Sequence, residues 1–206
     1  MNEPTQIRSM DKLNGTVRVL VEFALRDMKI NGIAPLVVET YRTQERQYWL
    51  YGQGRNALQL IKKKVPVKYA HKGNIVTSTL NSIHTLGCAV DIVPIRNGKA
   101  IWDAKDKDTK RIIAIMGEYG FEAGANWKSF PDSPHFQIKL PTPQYTAISQ
   151  YNTTSYLTKA IQKKLGIDAD GIWGNQTNTA IREFRDKYKL TQSNVLYADT
   201  MKLLFK

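Results

Sequence analysis

The chain has 206 residues, a formal net charge of +12 and 42% hydrophobic residues. This length allows one domain of good size and a small second one, and no apolar run approaches the length that crosses a membrane. The single cysteine, Cys88, excludes an internal disulfide and a cysteine-based zinc cluster, and we interpret it as a small buried hydrophobe. The basic charge favours polyanionic partners, whether nucleic acid, anionic lipid or cell-wall polymer.

Helices and strands alternate irregularly in the first two thirds of the chain. Apolar spacing predicts helices over 16–28, 43–53 and 106–119, and strands over 35–38, 89–93 and 135–138. Thr43 is the expected N-cap of the second helix, Pro94 the expected end of the second strand, and Asn97-Gly98 a hairpin turn. Because there is no regular βαβ repeat, the pattern predicts an α+β fold.

The last third of the chain has a different organisation. Residues 141–156 are poor in core side chains and begin with two prolines, which predicts a linker. From Leu157 a compact unit follows, with three short amphipathic helices and a tight turn at Asp170-Gly171. The predicted organisation is therefore a first domain over 1–140, a linker over 141–156 and a small three-helix domain over 157–206.

Two short segments carry the residue types of a catalytic zinc site. His84 and Asp91 are seven residues apart, and Asp132 lies three residues before His135. A catalytic zinc needs three protein ligands, an open position for water and a nearby base. His84 in a loop, Asp91 on the next strand and His135 at the start of another supply the ligands, and Asp132 is the expected general base. Cobalt or manganese also suits this donor set.

The same residues resemble a known family. The pattern S-x-H-x-x-G-x-A-x-D followed by D-x-P-H-F-Q is similar to that of VanY-type peptidoglycan metallopeptidases. More narrowly, it resembles the L-alanyl-D-glutamate endopeptidases that phages use as endolysins. The segment from Glu39 to Gln47 and the Trp127-Lys-Ser-Phe130 segment also match, so the resemblance covers roughly residues 14–140.

The resemblance implies a role for each matched residue. It implies zinc ligands at His84, Asp91 and His135, and Asp132 as the catalytic base. Arg42 would face the substrate and stabilise an oxyanion or a carboxylate, because a guanidinium is a permanently charged fork of donors.

Three further matched residues are expected near the substrate. Ser82 would bind substrate or support the ligand loop, Trp127 would line the cleft or pack in the core, and Gln47 belongs to the matched arginine-glutamine segment. His71 has no comparable neighbours in the sequence, so we interpret it as a surface or loop residue.

The C-terminal unit is similar to the three-helix peptidoglycan-binding module. Its D-G-x-x-G-x-x-T segment would form the turn between helices, so Asp170, Gly171 and Trp173 are interpreted chiefly as scaffold. The implied fold is a zinc peptidase domain, with a small antiparallel sheet flanked by helices, followed by this module. A basic face on the module could hold the enzyme on an anionic wall and raise the local substrate concentration.

The leading hypothesis is a monomeric zinc endolysin that hydrolyses the peptide stem of peptidoglycan, most specifically at L-alanyl-D-glutamate. The alternatives are a D-alanyl-D-alanine carboxypeptidase or dipeptidase of the same family, and a catalytically silent wall-binding protein. Peptidoglycan, with anionic envelope polymers, is the expected partner; nucleic acid and membrane insertion are not expected. Because the N-terminal segment lacks a secretory signal pattern, the expected location is the host cytoplasm until release to the wall.

Overall fold

The computed structural model describes residues 2–138, 147–148, 153 and 155–204. The helices in this part of the chain are α1 (Gly15–Ile30), α2 (Gln44–Gly52), α3 (Ala57–Lys62), α4 (Lys107–Glu118), α5 (Ser155–Leu165), α6 (Asn175–Lys187) and α7 (Ala198–Leu204). The strands are β1 (Pro35–Glu39), β2 (Ala89–Arg96), β3 (Lys99–Ala100), β4 (Glu122–Ala123), β5 (His135–Gln137), β6 (Ala147–Ile148) and β7 (Leu196–Tyr197). None of the described helices is both long enough and apolar enough to span a bilayer.

The main sheet is small and antiparallel, which confirms the predicted α+β class. Its strand order is β1-β2-β5-β4, with β3 paired to the end of β2. Within it, Asp91 on the central strand β2 faces Glu39 on β1 and His135 on β5. Adjacent strands bring directly opposite side chains close together, so this register aligns three polar residues across the sheet.

Helices α1 and α4 cover the sheet and form the core. Val17, Leu20, Ala24 and Met28 repeat at helical spacing on α1 and are fully buried. They pack in one cluster with residues of α4 and the sheet, including Phe136 on β5. Burial of each large side chain contributes about 1.5–3 kcal/mol, so this face fixes the helix against the sheet that carries the site.

The strand expected to end at Pro94 continues through it to Arg96. Pro94 lies opposite Pro35 at the start of β1, and its carbonyl accepts a hydrogen bond from Ile101. Proline is tolerated where the ladder needs no amide donor, so the prediction that Pro94 ends the strand was wrong. The turn at Asn97-Gly98 is confirmed, because both residues have positive φ, 52° and 73°.

Helix α3 and strand β4 were not predicted. Helix α3 begins with a capping box in which Asn56 and Gln59 exchange side-chain and backbone hydrogen bonds. Strand β4 has only two residues, too few for a periodic signal, but it carries Glu122 next to the site. Thr43 caps α2 as predicted, accepting a hydrogen bond from the Arg46 amide at 3.2 Å.

The C-terminal part contains α5, α6 and α7 around a second hydrophobic cluster. Ile148, on β6, belongs to this cluster, and β6 pairs with β7. The predicted linker thus includes a short strand, and α5 begins at Ser155, two residues before the expected start of the unit; most of 141–154 lies outside the described residues. The division into two domains stays a prediction, and Ala160 of α5 packs in the main core.

Candidate metal site

Three potential ligand atoms converge on one point beside the sheet. His84 Nε2 lies 3.1 Å from Asp91 Oδ1 and 3.1 Å from His135 Nδ1, and the third side of this triangle is 3.2 Å. A tetrahedral ion with ligand bonds of about 2.0 Å separates its ligand atoms by about 3.3 Å. The triangle therefore has the size of one face of a zinc-like coordination sphere, and these residues could hold a metal ion.

The hydrogen bonds on the far side of each imidazole fix which nitrogen faces the triangle. His84 Nδ1 lies 2.8 Å from the Thr40 carbonyl, so this nitrogen carries the proton and Nε2 presents its lone pair. His135 Nε2 lies 3.1 Å from Gln137 Oε1, which leaves the lone pair on Nδ1. Two lone pairs and a carboxylate oxygen then face one another, and a cation is the group that makes this arrangement favourable.

The close approach of these side chains also shifts the pKa values of Asp91 and His135. Burial alone would raise the pKa of the Asp91 carboxyl, but the neighbouring His84 and His135 outweigh it and hold that pKa far below its ordinary value. Burial lowers the pKa of His135, but the hydrogen bond to Asp91 and the charge of Asp91, with smaller contributions from Gln137 and Asp132, together outweigh burial, so the net pKa is raised. The site therefore holds a carboxylate anion that attracts positive charge, whether protons or a metal ion.

A short 3-10 turn, Ile83–Leu86, presents His84 in the connection before β2, where the sequence predicted a loop. Ser82 caps this turn by accepting a hydrogen bond from the His84 amide. Gly87 ends it with a φ of 67°, and a Cβ there would lie 2.9 Å from the Asn14 amide nitrogen. A side chain at this position would thus be strained and would displace the α1 entry segment, so the glycine sets the bend before β2.

Asp132 lies on the cavity wall beside the triangle and outside it. Its amide donates to the Gly124 carbonyl at 3.0 Å, and a Cβ on Gly124 would lie 2.6 Å from the Asp132 carbonyl oxygen. Burial, and next the charge of Asp91, raise the pKa of the Asp132 carboxyl. A raised pKa moves a carboxylate toward the range in which it can both accept and return a proton.

Arg42 is locked beside the triangle by a buried ion network. Its guanidinium donates to Glu39 and, at 3.0 Å, to Gln47 Oε1, and it lies 3.6 Å from Asp91 Oδ2. Glu39 Oε1 also accepts from Arg46 at 2.6 Å. Arg42 remains 12% exposed and lines the cavity, so its position allows a substrate contact while Glu39 fixes its orientation.

Gln47 does not reach the cavity, contrary to the expectation of direct substrate contact. It is 0% exposed, accepts from Arg42 and donates to the Thr79 carbonyl at 2.7 Å. The helical position of Gln47 on α2 turns its side chain inward between these two partners. Gln47 is therefore a positioning residue that ties Arg42 to the loop over residues 77–81.

Trp127 is held at the cleft by a chain of hydrogen bonds that ends on a candidate ligand. Its indole N–H donates to Glu122 at 2.7 Å, Glu122 accepts from Gln137 at 2.9 Å, and Gln137 faces His135. The Trp127 ring also lies 5.0 Å from the His135 ring. Trp127 is partly buried and lines the cavity, and through Glu122 and Gln137 it also helps to orient His135.

The triangle opens into a cavity of about 330 Å³. Its lining includes the ionic side chains of Arg42 and Asp132, polar residues of the loop over 77–82, and the aromatic side chains of Trp102, Trp127 and Phe130. His71, on a loop away from this cavity, stacks against Trp49 with ring centres 4.3 Å apart. Cys88 is buried, and burial raises the pKa of its thiol, in agreement with the inert role expected for it.

Sequence reasoning missed the residues that orient the site. Thr40, Glu122 and Gln137 each accept or donate a hydrogen bond that holds a candidate ligand or a cleft residue, but no pattern in the sequence indicates these roles. Glu39 gave a weak signal as an acid inside an otherwise apolar strand. Buried charged groups are rarely left unpaired, so that acid could have indicated the arginine partners.

The fold and the site together define a class of protein: an α+β domain with a candidate His-Asp-His metal site that opens into a cavity. Residues 76–138 match the family model described as D-alanyl-D-alanine carboxypeptidase, of the M15 peptidases. The matched segment contains the whole triangle and Asp132. Over these residues the chain is similar to the M15 peptidases.

Two curated relatives are similar over part of their length. Peptidoglycan L-alanyl-D-glutamate endopeptidase CwlK of Bacillus subtilis is 32% identical over 117 residues, which is 52% of this chain and 62% of that protein. The L-alanyl-D-glutamate peptidase of Listeria phage A118 is 27% identical over 133 residues, which is 64% of this chain and 40% of that protein. The chain thus spans less than two thirds of either relative.

A crystal structure, that of the Serratia marcescens L-Ala D-Glu endopeptidase ChiX, has a TM-score of 0.44 and 23% identity to this chain. The match covers 68% of this chain and 92% of the ChiX chain.

Proposed function

We propose that the protein is a zinc peptidase that hydrolyses the peptide stem of peptidoglycan between L-alanine and D-glutamate. The observation that carries the proposal is the triangle of His84, Asp91 and His135, open to a cavity with Asp132 on its wall. The names of the two curated relatives support the bond specificity. Two imidazoles and one carboxylate are a donor set that suits zinc.

The chain's own residues divide the work of hydrolysis. When bound, zinc would supply Lewis acidity toward the scissile carbonyl and lower the pKa of an attacking water. Asp132 accepts the proton of that water and returns it to the leaving amine nitrogen, which its raised pKa favours. Arg42 offers a fixed positive charge to the carbonyl oxygen or to a stem carboxylate, with Glu39 and Gln47 holding it in place.

Digestion of purified peptidoglycan tests the bond that is cut. We expect new amino termini on D-glutamate, loss of activity with a chelator, and recovery when zinc is added back. Full activity after complete metal removal would contradict the metal-dependent mechanism. New amino termini at another stem residue would still indicate a peptidase but would contradict the proposed L-alanyl-D-glutamate specificity.

The second candidate is a D-alanyl-D-alanine carboxypeptidase, which the description of the matched family model favours. Such an enzyme trims the end of the stem and must hold a free terminal carboxylate, for which Arg42 is the nearest cation to the triangle among the described residues. The same digestion separates the two, because this candidate releases free D-alanine and creates no new amino terminus on D-glutamate.

The C-terminal helices would hold the enzyme on the wall, and the protein would act as a phage lysin released from the host cytoplasm. The resemblance to a peptidoglycan-binding module and the net charge of +12 support this part of the proposal. Sedimentation with purified walls, for the full chain and after substitution of basic residues on α5 and α6, tests it. Binding that does not depend on these residues would contradict a charge-driven attachment.

A further inference from the structure

Aromatic side chains that are exposed to solvent line the cavity. Trp102 and Phe130 line the cavity with 58% and 46% of their surface exposed, whereas Trp127, which also lines it, is held by a hydrogen bond to Glu122. The Trp102 indole donates no hydrogen bond to any residue that the structure describes. Large exposed aromatic side chains that share a cleft with a reactive centre are typical of a ligand-binding surface.

The backbone holds Phe130 in a costly conformation. Its φ is 57°, in the left-handed region that bulky residues avoid and that glycine adopts freely. The strained position is two residues before Asp132, in the loop that leads into β5. Strain of this kind persists where the surrounding structure enforces it, and it concentrates at binding and reaction sites.

The loop over residues 77–82 contributes polar groups to the cavity. It includes Thr77, Ser78, Thr79 and Asn81. Their loop is held in place because Arg55 donates to the Thr77 carbonyl at 2.9 Å and Gln47 to the Thr79 carbonyl. The cavity therefore combines aromatic faces with hydroxyl and amide groups. This combination suits a sugar ring, which has an apolar face of C–H bonds and a rim of hydroxyl and acetamido groups.

The chemistry of the proposed substrate places a sugar within reach of these cavity residues. In peptidoglycan the stem begins with L-alanine, which is joined by an amide to the lactyl group of N-acetylmuramic acid. Cleavage between L-alanine and D-glutamate therefore leaves a single residue, about 3.6 Å of extended chain, between the scissile amide and that lactyl group. The sugar must then lie in the same cavity as the triangle or at its edge.

We infer that Trp102 and Phe130 form a subsite for the N-acetylmuramic acid sugar, and that the enzyme prefers glycan-linked stems to free peptides. This inference rests on the proposed endopeptidase function. It also separates that function from the carboxypeptidase, because the sugar lies several residues away from the D-alanyl terminus of a stem.

Two matched substrates test the inference. One is an N-acetylated stem tripeptide beginning L-Ala-D-Glu, and the other is the same tripeptide on N-acetylmuramic acid, so both present an amide before L-alanine. We expect the zinc-loaded wild type to prefer the muramyl substrate in kcat/KM. In Trp102→Ala and in Phe130→Ala this preference should fall by about fivefold, the effect of losing one stacking contact.

Two further variants separate recognition from stability. Leu58→Ala removes a side chain that is 71% exposed on α3 and does not line the cavity, so it should keep the wild-type preference. Phe130→Gly removes the ring and relaxes the backbone, so it should lose the preference without a lower melting temperature than Phe130→Ala.

The failure of the inference is distinct from the failure of the proposed function. Equal kcat/KM for both substrates in the wild type, or an unchanged preference in both aromatic variants, would overturn the sugar subsite and leave the endopeptidase intact. If the wild type cleaves neither substrate at L-Ala-D-Glu, both proposals fall.

Discussion

Both parts of the molecule bury polar networks, but the networks end differently. In the C-terminal part, buried Arg185 donates to the carbonyls of Thr191 and Val195 and to the Thr200 hydroxyl. In the first part, the network from Glu39 through Arg42 ends beside Asp91 on an open cavity. Burial of polar groups is thus common to scaffold and site, and what distinguishes the site is a set of lone pairs directed at one point.

A second pair of networks gives the same contrast. Gln162 joins Asp170, Thr177 and the Gly171 amide in the turn between α5 and α6, at 2.8, 3.1 and 2.9 Å. This agrees with the scaffold interpretation of the D-G-x-x-G-x-x-T segment. Gln137, by comparison, accepts a hydrogen bond from His135 and so orients that imidazole. Glutamine therefore stabilises a turn in one region and orients a candidate metal ligand in the other.

The largest expected effect comes from removing a ligand. His84→Ala should lose bound zinc and turnover together, because two remaining ligands hold the ion weakly. Metal content measured beside stem-peptide hydrolysis checks this. Arg185→Met is the control in the other network and should keep both metal and kcat; a variant of His84 that keeps full metal occupancy would contradict the ligand assignment.

Asp132→Asn should separate metal binding from chemistry. The amide cannot act as a base, so kcat should fall by about 10²–10⁴-fold while zinc content stays at the wild-type level. Zinc analysis and steady-state kinetics on one preparation provide the measurement. An empty metal site in this variant would reassign Asp132 as a ligand.

Glu39→Gln should break the buried ion network. Two arginines would lose their shared carboxylate, and the free energy of unfolding should fall by about 3–5 kcal/mol. Because Arg42 loses its fixed orientation, kcat/KM should fall as well. Arg185→Met should cost about 1–3 kcal/mol through its unpaired carbonyl partners and leave kcat unchanged. Denaturant unfolding and steady-state kinetics on both variants provide the measurement. An unchanged kcat/KM in Glu39→Gln would contradict the role of Glu39 in orienting Arg42.

The raised pKa of Asp132 predicts a pH-dependent stability of the metal-free protein. A carboxyl whose pKa is higher in the folded state binds protons more tightly there, so it favours folding in acid. That contribution is lost as pH rises from the ordinary carboxyl pKa through the raised one. Thermal unfolding with a chelator, compared between wild type and Asp132→Asn, should show this slope only in the wild type.

The smallest effect is expected where the two parts meet. Lys163 on α5 donates to the Tyr119 hydroxyl at 3.2 Å and lies 3.9 Å from Asp27. The lysine is partly exposed, so Lys163→Met should change the free energy of unfolding by at most about 1 kcal/mol and leave activity on soluble peptides unchanged. A large loss of stability would indicate that this contact holds the two parts together.

The candidate metal-binding residues could be identified from residue type and local spacing. His84 and Asp91 lie on either side of one bend, whereas His135 reaches them through the pairing of β5 with β2. The α+β class followed from the alternation of helical and strand periodicity, as α1 and β1 illustrate. Short elements such as β4, with two residues, carry no periodic signal and were not predictable.

The sequence by itself determined which atoms can bind a metal, the helices that bury one apolar face, and the turns that require glycine. Tertiary structure alone decided that Gln47 faces inward, that the strand continues through Pro94, and that aromatic side chains line the cavity into which the triangle opens. The physical reason is distance along the chain. Backbone preferences and periodicity act over a few residues, whereas pairings such as His84 with Thr40 exist only after the sheet has formed.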